Sequence, residues 1–370
     1  MKSIIKLFEA GIGDNAISSV AELLHDGSIA TGKYIDEFER NFGDVIKGDK
    51  IVTVSNMTAA IEIALRIIGF NDGDEIIASP FSCMSSTSPI GYMGLNVKWL
   101  DYKRNNFNIS VEDVERLITS KTKAILIYYV AGYVFDIHSI AELCRSKNIY
   151  LIEDCNNAHF SQVNSHYVGR EGDFAIYSFY PNRIVNSIEG GALRVKKEKH
   201  YNEALKMRRY GIDMYKFRCK DGEINPEYDI TVTSNNFSMN NVAAAIANHQ
   251  LNDCRSRIKL IKSNCKYFMS NIKNNSLKTI DFNNNIENCN WVFFVRTKQQ
   301  RKLLAYLKEK KIMASKLHYL NNRYSCFRSD NTVKTPNADL LQNEIVALPC
   351  GWWLSERERN YIVDTLNSFC

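Results

Sequence analysis

At 370 residues, the chain is longer than one hydrophobic core usually serves, and its 45% hydrophobic and 24% charged residues fit an ordinary water-soluble protein of two domains. No apolar run of about 18 residues is present to cross a bilayer, and Lys6, Glu9 and Asp14 interrupt the N-terminal stretch, so no convincing signal peptide is offered and no membrane partner is expected. The ten cysteines are scattered without a C-x-x-C pair or a Cys/His cluster, which implies reduced thiols, a cytoplasmic setting and no metal site; the net charge of +6 forms no basic stripe for nucleic acid.

In chain order, strand-like apolar runs alternate with helical ones, the pattern of an α/β protein with a mostly parallel sheet. Asp14 to Leu24, stopped by Gly27, and Thr58 to Ile68, stopped by Gly69, read as helices. E-I-I-A-S, V-K-W-L-D, A-I-L-I-Y-Y-V, Y-L-I-E-D and F-A-I-Y-S-F read as strands. A long helix is expected from Asn241 to about Ile272, then an Asn-rich turn at Asn283 to Asn285, the strand W-V-F-F-V-R-T, a helix over Gln299 to Lys311 and a last helix over Ser355 to Phe369. The boundary is drawn at residue 245, giving a large domain over 1–245 and a smaller α+β domain over 246–370.

The densest concentration of chemistry lies between Asp154 and Gly191, in D-C-N-N-A-H-F and then G-D-F-A-I-Y-S-F-Y-P-N-R-I-V-N-S-I-E-G-G. Together with T-G-K-Y-I-D-E-F-E from Thr31, Ser55-Asn56-Met57-Thr58-Ala59-Ala60-Ile61, P-F-S-C-M-S-S from Pro80, N-F-S-M-N-N from Asn236, L-H-Y from Leu317 and A-L-P from Ala347, these motifs resemble, in order, the DegT/DnrJ/EryC1/StrS family of pyridoxal-phosphate (PLP)-dependent nucleotide-sugar aminotransferases. The resemblance implies the aspartate-aminotransferase-like fold (PLP transferase type I), a nucleotide-linked sugar as substrate, and a homodimer with the site at the subunit boundary. It also implies that Asp154 pairs with the cofactor's pyridine nitrogen, that Thr58 and Ser178 serve its phosphate, that Asn236 reaches across from a neighbouring subunit, and that His318 lies near the substrate sugar. Read singly, Asp154 is equally a helix cap, and Thr58, Ser178 and Asn236 are turn residues.

Arg183 stands where the resemblance places the Schiff-base lysine, and no lysine occurs between Tyr180 and Leu193. A guanidinium stays protonated and lacks a usable nucleophilic lone pair, so no covalent internal aldimine is expected, and PLP or its amine form, pyridoxamine phosphate (PMP), is expected at most non-covalently. Met57 and Phe160 replace family glycines, Asn157 a longer glutamine and Ser238 an arginine. A laboratory Lys-to-Arg change would leave those walls intact; their joint alteration points to natural divergence. Arg183, at the mouth of the pocket, is then read as an anion clamp or oxyanion stabiliser, and His159 as a general acid or base against the plain reading of a satisfied structural histidine. Three functions follow: a nucleotide-sugar-processing enzyme of surface-polysaccharide or deoxysugar biosynthesis that is not an ordinary transaminase, a catalytically silent homologue that binds a partner or sugar, and an ordinary aminotransferase carrying a Lys-to-Arg substitution.

Overall fold

The structure is a computed structural model and describes residues 3–280, 285–329 and 333–370. Strands and helices alternate as β1 (Ile51–Val54), α1 (Asp14–Asp26) and α2 (Lys33–Ile46) before it, then α3 (Met57–Ile68), β2 (Glu75–Ala78), α4 (Met84–Tyr92), β3 (Asn96–Trp99), α5 (Val111–Leu117), β4 (Thr122–Tyr128), α6 (His138–Ser146) and β5 (Tyr150–Asp154). There follow a short hairpin of β6 (Gln162–Val163) and β7 (His166–Tyr167), then β8 (Phe174–Ser178), β9 (Gly191–Val195), α7 (Glu198–Met207) and α8 (Asn241–Asn271). The remainder holds β10 (Lys278–Thr279), β11 (Ile286–Glu287), β12 (Phe293–Arg296), α9 (Gln300–Glu309), β13 (Arg328–Ser329), α10 (Pro336–Glu344), β14 (Ile345–Leu348) and α11 (Glu356–Asn367).

Among the described residues the main sheet has eight strands in the order β1-β9-β8-β5-β4-β2-β3-β13, with β9 reversed against both neighbours and the rest parallel. Strand alternation sends Ile77, Ile125, Ile127, Leu151, Ala175 and Tyr177 to one face and Ile76, Ala78, Ala124, Leu126, Ile152, Phe174 and Ile176 to the other. Both faces are covered, which is why these strands read as unbroken apolar runs rather than alternating ones. The first face continues into the C-terminal part through Phe293, Val295, Leu303, Leu307, Ile362 and Leu366, around the antiparallel sheet β10-β12-β14.

The helices sit where caps and stops put them. Gly27 ends α1 at φ +73°, the Asn56 side chain caps α3 by accepting from Ala59 N, and Ser355 with Glu358 forms a capping box on α11. Helix α8 runs without a break through residue 245, packing against α1 and α2 before it reaches the C-terminal sheet, so the division drawn at 245 falls inside one helix. Of the Asn-rich turn expected at 283–285, residues 283 and 284 lie outside the described residues; the carbonyl of Asn285 accepts from Asn164 N at 3.0 Å.

Candidate active site

The parallel strands deliver their carboxyl ends to one place, the usual ligand edge of such a sheet. Tyr128 ends β4, Asp154 ends β5 and Ser178 ends β8. Gly191, paired with Ser178 at the start of β9, lies so close to the first turn of α3 that a Cβ there would stand 2.6 Å from Met57 N and from the Asn56 carbonyl carbon; only glycine permits that approach.

Asp154 is fully buried, and its Oδ1 accepts from Asn156 N at 3.1 Å and from Asn156 Nδ2 at 2.8 Å. Its Oδ2 is buried and has no hydrogen-bond partner; the Ser86 hydroxyl, near enough to favour the charged carboxylate, makes no aligned hydrogen bond. Burial outweighs these neighbours and raises the carboxyl above its ordinary pKa. The Asn156 amide then turns its Oδ1 to Arg183 Nη2 at 3.0 Å, so aspartate and arginine are joined through one side-chain amide.

Arg183 is not at the mouth of a cleft, as the sequence reading had it. It is 8% exposed, its Nη1 donates to Asn182 Oδ1, its Cζ lies 4.7 Å from the centre of the Trp291 ring, and its Nε is buried without a partner. Burial lowers its pKa, and the neighbouring Tyr128, Cys83 and Asp154 act against that. Trp291 precedes β12 and stacks on Phe8 with centroids 4.4 Å apart.

His318 joins the same cluster rather than an open outer groove. Its ring lies edge-on to Phe81 and Tyr128 and near-parallel to Trp291 at 6.4 Å; its Nε2 is buried and unpartnered. Burial and then the Arg183 charge push its pKa down to about 4. His159, 2% exposed, stacks near-parallel on Tyr177 and Phe179 with Nε2 unpartnered. Burial first and Arg183 second push it down to about 3, against a backbone hydrogen bond with Ser178.

The phosphate-side residues are nearby and already engaged. Thr58 Oγ1 donates to Ser85 O at 3.1 Å, and Ser178 Oγ accepts from Tyr180 N at 3.4 Å. Met57, which replaces a family glycine, packs its side chain into the second core face, and its sulfur accepts from Ser85 Oγ. Phe160 is likewise a core side chain. Asn236 is exposed at the rim beside the end of β1, where its Oδ1 accepts from Ser238 N at 3.2 Å; within one chain it makes no hydrogen bond to Asp154, Ser178 or Thr58. The segment over the site, Pro80 to Ser86, is held from the C-terminal part by Asn321, which donates to Ser82 Oγ and Thr87 Oγ1, each at 2.8 Å.

Sequence reasoning missed Asn156, Asn182 and Trp291. Asn156 was in view inside D-C-N-N but carried no assigned task, and Trp291 read only as the start of a strand. The donor set fits part of a pyridine cofactor: the orphaned, buried Asp154 Oδ2 is an acceptor of the kind a protonated ring nitrogen needs.

A sequence model of the DegT/DnrJ/EryC1/StrS aminotransferase family matches residues 11–367. The GDP-perosamine synthase of Escherichia coli O157:H7 is 28% identical over 341 residues, 91% of this chain and 90% of that protein. The spore coat polysaccharide biosynthesis protein SpsC of Bacillus subtilis is 26% identical over 240 residues, 65% of this chain and 62% of that protein. The crystal structure of the sugar aminotransferase CalS13 from Micromonospora echinospora superimposes with a TM-score of 0.92 at 21% identity, over 99% of this chain and all of that one, which bears on fold alone. With its α/β architecture, its mostly parallel sheet and the family match over nearly its whole length, the chain belongs to the DegT/DnrJ/EryC1/StrS aminotransferase family.

Proposed function

We propose that the protein is a nucleotide-sugar-processing enzyme of surface-polysaccharide or deoxysugar biosynthesis in which Arg183 replaces the Schiff-base lysine, so that it is not an ordinary transaminase. The observation that supports this is the Asp154–Asn156–Arg183 chain, in which a buried, hydrogen-bonded guanidinium is joined to the aspartate through one amide. The nearest following lysines do not substitute. Lys197 lies over the ring of Tyr150, the first residue of β5, and Lys196 donates to Glu171 O, whereas Asp154 is the last residue of β5. Four residues of strand separate the two ends by about 13 Å.

A pyridine ring held non-covalently against Asp154, as PLP or PMP, would supply an electron sink beside the sugar. Arg183 fixes an anionic or carbonyl oxygen through its free Nε, a role suited to a cation that never deprotonates. His318 is neutral at physiological pH and offers Nε2 to the sugar. His159, pushed down to about 3, is a poor base and is assigned here as a neutral hydrogen-bond partner of the site rather than as a proton carrier. The functional unit is a homodimer. Exposed Tyr210, Met214, Tyr215, Ile224, Ile230 and Val232 lie on the segment leading to Asn236 and provide apolar area for a second copy.

A silent, ligand-binding homologue is the second reading, favoured by the saturation of Asp154 Oδ1 from within the chain. Calorimetric titration with PLP, PMP and a panel of GDP-, UDP- and dTDP-sugars separates the two, alongside mass spectrometry after borohydride reduction with PLP. A nucleotide-sugar response without a covalent adduct supports the enzyme reading. A stoichiometric adduct on one lysine overturns it, and binding of neither class transfers the weight to the silent homologue.

A further inference from the structure

Arg183 and Asn182 belong to the segment between β8 and β9, whereas Trp291 comes from the C-terminal part just before β12. Trp291 touches both. Its Nε1–H donates to Asn182 O at 2.9 Å, and its ring carries the Arg183 guanidinium with Cζ 4.7 Å from the ring centre. Phe8 stacks on the same indole at 4.4 Å and 13°. The indole thus packs against both Phe8 and the guanidinium, with the His318 ring near-parallel to it at 6.4 Å.

Trp291 is itself fixed by the site's own backbone. Its N–H donates to Ala131 O at 2.9 Å, and Ala131, in the left-handed region at φ +52°, gives its N–H to the Tyr128 hydroxyl at 3.2 Å. The hydroxyl also accepts from Asn157 Nδ2. Asn182 and Asn156 hold the two terminal nitrogens of the guanidinium, which leaves Nε as its one nitrogen without a partner among the described residues. A long, flexible side chain could not keep that edge free and oriented by itself, because its rotamers would average the donor away.

We infer that Trp291 is the positioning residue of this site: its face holds the Arg183 guanidinium and its indole N–H holds the adjacent Asn182, so that Arg183 Nε is presented to one ligand oxygen. The inference rests on the reading of Arg183 as the fixed cation of the site, but its test observes Arg183 directly and needs no substrate.

The test is the proton–nitrogen NMR signal of arginine Nε–H groups in the full-length protein, with Arg183→Ala used to identify the Arg183 signal. In the parent protein that signal should be displaced by the indole ring current and slow to exchange with water. Trp291→Phe keeps an aromatic face and should keep the slow exchange. Trp291→Leu keeps apolar bulk, and so the fold, but removes both the face and the N–H; it should speed exchange by an order of magnitude or more and collapse the signal into the exposed set. Arg359, whose Cζ lies 4.2 Å from the Tyr267 ring centre and whose Nε is also buried without a partner, is the internal control and should not change. An Arg183 signal unaltered in Trp291→Leu overturns the inference. So does a parallel change at Arg359, which would mean general loosening of the fold.

Discussion

Asn157 Nδ2 donates to the Tyr128 hydroxyl at 2.8 Å, across the carboxyl ends of β4 and β5, and the same oxygen accepts from Ala131 N. The shorter amide that replaces a glutamine is therefore engaged through its nitrogen, while its Oδ1 is buried without a partner. Tyr128→Phe leaves two buried donors unpaired and should cost about 2–4 kcal/mol, while Asn157→Ala removes donor and cavity wall together and should cost about 1–2 kcal/mol. Urea unfolding of both variants checks the order; equal midpoints for Tyr128→Phe and the parent would refute it.

Arg183→Ala removes the ring contact with Trp291, leaves Asn156 Oδ1 without its donor and opens a cavity, with an expected loss of about 2–4 kcal/mol. Arg183→Met fills most of that volume and removes a buried charge, so its stability should stay within about 1 kcal/mol of the parent or exceed it. Arg183→Lys should bring back no transamination, because Asn156 still spans the gap to Asp154. Thermal and urea midpoints, with a glutamate-dependent amino-transfer assay, decide these together.

Stability should fall as the medium is acidified from neutrality. A histidine in the unfolded chain titrates near its ordinary value of 6.5, while His318 and His159 are held to about 4 and about 3 in the fold. Between about pH 6.5 and 4 the unfolded chain thus binds protons that the native state refuses, and stability drops with pH by up to about 1.4 kcal/mol per unit per histidine; above that window the effect is flat. Asp154 and Glu39, raised by burial, act in the opposite sense: their contribution is present below their ordinary values and is lost as pH rises through their folded ones. Urea titrations at pH 7 and pH 5 should show a smaller drop for His318→Gln than for the parent. An identical drop would remove His318 from the account.

Ile188 sits at φ +69°, a strained position for a β-branched residue, and is 53% exposed, so little packing holds it there. Ile188→Gly should raise stability by up to about 1 kcal/mol, the relief being partly offset by greater freedom of the unfolded chain. A clear loss in the urea midpoint would show that the side chain is covered, as it would be by a second subunit.

Sedimentation should give the mass of two chains at micromolar concentration. Interfaces of obligate dimers exceed roughly 2,000 Å², and Tyr215, 94% exposed in one chain, is a natural part of such a surface. Tyr215→Asp should shift the distribution toward the single chain, and a parent that sediments as a stable monomer would count against the dimer.

The fold was legible because buried strands such as A-I-L-I-Y and F-A-I-Y-S announce themselves by composition, and because Gly27, Gly69 and Ser355 mark helix ends by local stereochemistry. Asp154 was legible for a related reason, as a charged residue ending an apolar run. What could not be read was depth. Arg183 looked like a surface clamp because nothing near it in sequence covers it; its cover, Trp291, is more than a hundred residues away. The same holds for Met57: sequence gives a side chain's size and not its direction, and only the fold shows it packed into the second core face.

The grip of Asn321 on Ser82 and Thr87 has a mechanical consequence. The segment over the site and the Asn321 turn are latched by two side-chain hydrogen bonds and a third from Asn321 N to Pro80 O at 2.8 Å. Lifting that segment alone would leave the buried Asn321 amide without its partners, so the two stretches of chain favour moving as one body, with Phe81 kept edge-on to His318.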